Sequence, residues 1–257
     1  MSQKLLWQSL NRSIQSTLPV LAALAGSLML TGVAVAAADL SGVWQGVRQQ
    51  RAGNGVNLGL PFDPSTLPGT VDDAPLTPEY AAKFKAAVDA RRSGTPFADP
   101  TASCLPGGVP RMMGMIPFPM EILMTPGKVT IVAEWMSQVR HIYTGGRGHP
   151  KADELEPTFN GHSIGRWEGD TLVVDTIGLR SDTLISQQGL GHSDVTRVIE
   201  RFRLKGELLE NAITIIDPKM LTHPWTVIKT YTRAPKGRFI QEYVCAEGLL
   251  NRDSKGR

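Results

Sequence analysis

Apolar and polar residues fall into three regimes along this chain. Leu18 to Val35 is almost continuously apolar. Residues 39–126 mix short apolar stretches with Pro- and Gly-rich polar ones. After Gly127 apolar residues recur with a period of two, the signature of half-buried β-strands. Strands are predicted near 128–136, 138–144, 162–168, 170–177, 194–204, 207–216, 225–233 and 238–245, preceded by an opening strand at 40–47. Glu168-Gly169-Asp170, Lys205-Gly206-Glu207 and Ala234-Pro235-Lys236-Gly237 read as hairpin reversals. Short connections favour antiparallel neighbours, and eight or nine such strands must close to remove their edges. The expected fold is therefore mainly β: an antiparallel meander closing into a calycin-like barrel, with one N-terminal helix and long loops.

That helix starts after Thr77, a good N-cap. Pro78 suits the first helical position, Glu79 the first turn, and Arg91 and Arg92 the last, with Gly94 to close it. Residues 51–76 read as a long loop, and Pro96 to Pro126 as irregular chain holding Met112, Met113, Met115, Met120 and Met124. Methionines in such a cluster are expected to be adaptable core or pocket wall rather than metal ligands.

Period-two bookkeeping also places several acids. In 195–204 the arginines 197, 201 and 203 share one face, so Glu200 is expected inside with Val198 and Phe202. Asp175 alternates in phase with Val173 and Ile177, Glu242 with Ile240 and Val244, and Glu134 with Val132 and Met136. A buried carboxylate needs a partner or a wet cavity. Arg140, Arg147, Arg166, His149, His162 and His192 are available. Structural ion pairs and a polar floor in a ligand cavity both fit this pattern.

The first 38 residues change the picture of charge and compartment. Lys4 and Arg12 precede the apolar run, and Ala34-Val35-Ala36 supplies a small-x-small cleavage signal, so 1–38 reads as a signal peptide rather than a permanent span. The domain is then 39–257, periplasmic or secreted. The whole chain has 27 Lys+Arg against 24 Asp+Glu, and the leader holds two of those cations and no acid. The remainder is close to neutral, which gives no reason to expect nucleic acid as a partner. Cys104 and Cys245 are the two cysteines, and in an exported protein they are expected to pair.

No HxH or HExxH spacing suggests a metal, GxSxG is absent, and neither a dinucleotide fingerprint nor a P-loop occurs, so no cofactor is expected. The segment Gly145 to Thr176 concentrates the candidate chemistry: a loop with Arg147 and His149 running into a hairpin with Asp175. Asp175 and Glu200 are expected to face a common interior, reached by His149 or His192 from loops at one end. Those four are the candidate catalytic residues, with Arg140, Arg147, Tyr143, Trp167 and Met120 as candidate ligand contacts.

Gly146-Arg147-Gly148-His149-Pro150, Gly165 to Thr176 (GRWEGDTLVVDT), His192-Ser193, Glu200-Arg201-Phe202 and Asp217-Pro218 carry a further likeness. Together they resemble an uncharacterised family of exported bacterial proteins, over more than half of the chain after the leader. The resemblance implies location and domain extent and no activity. Gly42-Val43-Trp44 is also similar to the opening of calycin-type barrels such as lipocalins. Three functions are compatible with these features: a barrel binding a small, largely apolar molecule, a cofactor-independent acid/base enzyme (isomerase, hydratase, lyase or cyclase), and a structural envelope module.

Overall fold

The computed structural model describes residues 37–47, 74–95, 99–115 and 118–246. The expected leader and most of the expected loop at 51–76 lie outside them. Nine strands form a closed barrel in which every strand pairs with its sequence neighbours and β9 returns to β1. They are β1 Gly42–Gly46, β2 Met120–Thr125, β3 Lys128–Ala133, β4 Gln138–Tyr143, β5 His162–Glu168, β6 Thr171–Ile177, β7 Arg197–Lys205, β8 Leu208–Ile216 and β9 Trp225–Arg233. Among the described residues one α-helix, α1 Pro78–Arg92, lies outside the wall. Thr77 stands at its N-cap but makes no capping bond, since its hydroxyl donates to Lys219 O instead.

Nine is an odd number, so strand direction cannot alternate all the way round a closed wall. One neighbouring pair must be parallel. It falls at β4 and β5, joined by the crossover 144–161 and paired at only two positions, Ile142 with Ser163 and Tyr143 with Ile164. All other pairs are antiparallel. The two-residue loop between β5 and β6 places Gly169 at φ 64°, the positive value a primed hairpin turn requires.

The interior is filled by alternate residues of each strand. Trp44, Ile122, Ile131, Ile142, Val174, Phe202, Leu209 and Ile213 are almost fully buried. Trp44 donates its indole N–H to Leu40 O, and the Arg233 guanidinium stacks on its ring at 4.4 Å. Met112, Met113 and Met120 belong to the same core, as expected of adaptable filler.

Two elements differ from the sequence reading. Residues 120–125 form β2, where irregular chain was expected, because Pro119 and Pro126 flank the ladder without interrupting it. Residues 238–245 form no strand. The barrel is already closed by β1 and β9, which leaves no edge for a tenth strand. The segment instead crosses one barrel end as a strap: Arg238 and the Gln241 amide donate to the Glu134 carboxylate, and Ser137 donates to Tyr243 O. Glu134 is buried by leaving the strand after Ala133, and the Cys104–Cys245 disulfide fixes the strap's end. Glu242, expected in phase with Ile240 and Val244, is on this strap.

Candidate functional site

The register decides where each candidate side chain points. Val174 pairs with Glu200 and Asp175 with Ile199, so Glu200 enters the barrel while Asp175 leaves it. The expectation that Asp175 and Glu200 share an interior is overturned. Asp175 is one position out of phase with the inward set Leu172, Val174 and Thr176, and period-two counting within an all-buried strand had no polar face to fix the phase.

Inside the barrel, Glu200 forms a short ion pair with Arg140 and accepts from Asn211 Nδ2 at 2.9 Å. Arg140 also donates to Ser163 at 3.2 Å and to Thr176 at 2.9 Å. Both charged side chains are at most 1% exposed. Of the two readings the sequence left open for Glu200, the geometry is that of a paired structural ion pair. The barrel end beneath the Met-rich turn at 112–115 retains a pocket of about 20 Å³ lined by Trp44, Met113, Met120, Phe118, Lys229 and Tyr231, room for about one water.

His192 belongs to neither carboxylate. It is buried near the end of the β6–β7 connection, with Nε2 against Thr183 Oγ1 at 2.8 Å and Nδ1 against Ser193 O at 2.9 Å. The same corner is held by Asp217, which accepts from the Ser193 amide and hydroxyl, Thr196, and the amides of Lys219 and Met220. Burial pushes the His192 imidazole below its ordinary value, against a backbone bond to Ser193 that works the other way. The role this geometry supports for His192 is structural. Trp167 faces inward beside Leu172 and packs on the core, on the opposite side of the wall from Asp175, His149 and His162. Met120 lines the small interior pocket.

A different cluster forms on the outer face of β4–β6. His149, from the crossover, brings Nδ1 to 2.9 Å from His162 Nδ1, while its Nε2 lies 3.5 Å from Asp175 Oδ2. Asp175 is gripped by the Arg197 fork, Nε to Oδ1 at 2.8 Å and Nη2 to Oδ2 at 2.6 Å. Tyr143 stacks on the His162 ring at 5.5 Å, and the Arg147 guanidinium covers Tyr143 at 4.1 Å. Burial pushes the Asp175 carboxyl up, but Arg197 more than cancels this and leaves it below the usual range. Burial, then the charges of His149 and Arg147, push His162 below its ordinary value, which favours the neutral ring.

This cluster borders a groove of about 310 Å³ that opens where β4 and β5 diverge below their two-residue pairing. Val139, His141, Tyr143, Phe159 and His162 line it, and Pro106 closes one side. Gly161 turns the chain into the groove at φ 62°, with its Cα so close to β6 that a Cβ would stand 2.5 Å from Ile177 O. The structure therefore gathers His149, Asp175, Arg147 and Tyr143 of the expected residues, and adds His162 and Arg197. Arg140 lines both groove and interior. His162 was visible in the sequence only as an available donor. Its partner could have been suspected from the 18-residue gap between the β4 and β5 patterns, which is too long for a hairpin.

Among the described residues no set of three His, Cys, Asp or Glu is arranged to hold a metal ion, and no helix is long and apolar enough to cross a membrane. The chain matches no family model, and no curated protein matches it.

Proposed function

We propose that the outer groove is the site of a cofactor-independent proton-transfer enzyme, with His162 as the acid/base group. The observation that carries this reading is the ordered series Arg197–Asp175–His149–His162, ending at a ring whose Nε2 has no partner among the described residues. The tautomers that serve every contact put a proton on His149 Nε2, facing Asp175, and one on His162 Nδ1, donated to His149 Nδ1. His162 Nε2 then carries a lone pair at the groove. When it takes a proton, the positive charge is shared toward His149 and met by Asp175. The 3.5 Å gap between His149 and Asp175 is of the kind that tightens on substrate binding. Tyr143 and Phe159 offer aromatic walls, so the fitting substrate is a small, partly apolar molecule with an acidic C–H or a labile proton.

Isomerisation, hydration and elimination all need only such a base. Non-covalent binding of a whole apolar ligand inside the closed barrel gains no support from a filled core and a 20 Å³ pocket. The chain is also read as exported, through the leader and the Cys104–Cys245 bond. N-terminal sequencing of protein recovered outside the cytoplasm is expected to begin near residues 37–39.

Two measurements test the site. Deuterium uptake by a panel of aryl ketones and aldehydes in D₂O reads turnover. His162→Ala and His149→Ala are expected to lower it by about 10²–10⁴, the usual worth of a positioned acid/base. Ring titration by NMR needs no substrate: His162 is expected to titrate below about 6.5, and Asp175→Asn to lower it further. A His162 that titrates normally and ignores both His149→Ala and Asp175→Asn ends the proposal.

A further inference from the structure

Lys229 of β9 is the second group in the molecule whose placement calls for chemistry, and it is independent of the outer groove. It pairs with Asn211 across the β8–β9 ladder, and Asn211 is fully buried on Glu200, so Lys229 points to the same inward side. Val227 and Tyr231 flank it on that face. Its amine reaches the pocket under the Met-rich turn, among Trp44, Met112, Met113, Phe118 and Tyr231. The turn passes directly over it. A Cβ on Gly114 would lie 3.5 Å from Lys229 Cε and 3.7 Å from Nζ, so glycine keeps the space above the amine clear.

An inward lysine normally has a carboxylate. This one has no hydrogen bond or ion pair among the described residues, whereas Lys83, Lys85, Lys205 and Lys219 each reach an acid within 2.8 Å. Burial alone pushes its amine below the ordinary lysine value, with nothing opposing. The pocket is also unsuited to an anion. The Tyr231 hydroxyl is committed to Met113 O at 2.5 Å and the Trp44 indole N–H to Leu40 O at 2.9 Å, so neither is free to donate beside the amine. What remains is a partly exposed primary amine in apolar walls, the environment that makes a lysine nucleophilic.

We propose that Lys229 is the nucleophile of a second site, which captures an apolar aldehyde as an imine. The nitrogen lone pair adds to the carbonyl carbon, and the carbonyl oxygen takes up a proton to give a carbinolamine. Loss of water, with both amine hydrogens ending on that oxygen, leaves the C=N bond. No oxidant or reductant is needed. The 20 Å³ of open space admits the carbonyl head, and the flexible thioethers of Met112 and Met113 can yield to an alkyl tail.

The test is reductive trapping on the whole folded chain. Protein is incubated at pH 7 with hexanal and cyanoborohydride, and peptides are mapped by mass spectrometry over time. Lys229 is expected to acquire the hexyl group at least about tenfold faster than the exposed Lys151 and Lys236, because burial favours its unprotonated, nucleophilic amine. Glyoxylate, an aldehyde bearing a carboxylate, is expected to label Lys229 more slowly than hexanal. Gly114→Leu, which fills the space over the amine, is expected to slow Lys229 labelling selectively while Lys151 and Lys236 react as before. Labelling of Lys229 no faster than the two exposed lysines overturns the proposal. So does faster labelling by glyoxylate, which would make the pocket an anion site, or a Gly114→Leu protein that melts normally and labels Lys229 unchanged.

Discussion

Glu200 and Asp175 sit one ladder step apart on the same wall, and that single step gives them opposite environments. Glu200 is dry and paired with Arg140, and removing one partner of such a pair leaves the other charge buried. Glu200→Gln is expected to cost about 3–5 kcal/mol in denaturant unfolding, whereas Arg140→Met with Glu200→Leu is expected to cost far less than the sum of the single changes. His192 gives a pH signature. It is held neutral in the fold, so below about 6.5 the unfolded chain binds a proton that the folded chain refuses. Its contribution is complete above that value and falls as pH drops below it, with His162 acting in the same direction. The melting temperature is therefore expected to decline from pH 6.5 toward pH 5, and more shallowly in His192→Gln. Asp175 and Asp217, both lowered, add their own loss only below the ordinary carboxylate range near 4.

At the scale of elements, the crossover between β4 and β5 does the positioning. It carries His149 over the outer face of β6, and it begins and ends at a seam of two paired residues that leaves the groove open. Gly161 is its closing residue, and Gly161→Ala is expected to destabilise by about 1–2 kcal/mol from the positive φ alone, with a further loss because Ile177 O must move. Thermal melts of the single variant check this. The strap 238–245 is the other element that works by position, since it covers a barrel end through Glu134 and the disulfide. The Cys104–Cys245 bond closes a separation of 141 residues. Reduction is expected to lower stability by roughly 4–5 kcal/mol in the chain-entropy model, less where the Glu134 contacts already hold the strap. Guanidinium unfolding with and without reductant measures it.

For the whole molecule, closure without free edges makes stability a property of the ring of ladders, but the ladders are unequal. β7 and β8 pair over nine residues, β6 and β7 over five, and β4 and β5 over two. Amide exchange is expected to be slowest in β7 and β8 and fastest at the β4–β5 seam, beside the proposed site. A uniform exchange profile round the barrel would mean the seam is held by more than its two pairings. A local weakness there fits a site that must admit a substrate into a groove, since the rest of the wall stays paired while the groove breathes.

The sequence by itself determined that the fold is mainly β, its closure and the cysteine pair. Alternation in 195–204 fixed Glu200 inward because three arginines marked the opposite face, and short Gly-containing connectors fixed most neighbours as antiparallel. It also singled out Asp175, His149, Arg147 and Tyr143, which do meet. It misplaced Asp175 because 171–176 is buried on both faces, and a strand with no polar side has no legible phase. It missed β2 because bordering prolines look like loop, and it added a strand at 238–245 because alternation says nothing about whether an edge remains to be paired. The parallel seam, His162 beside His149, and an amine at Lys229 left without a counterion among the described residues were decided by tertiary structure alone. Each depends on which residues the register brings opposite one another across tens of positions, and local spacing carries no information about that.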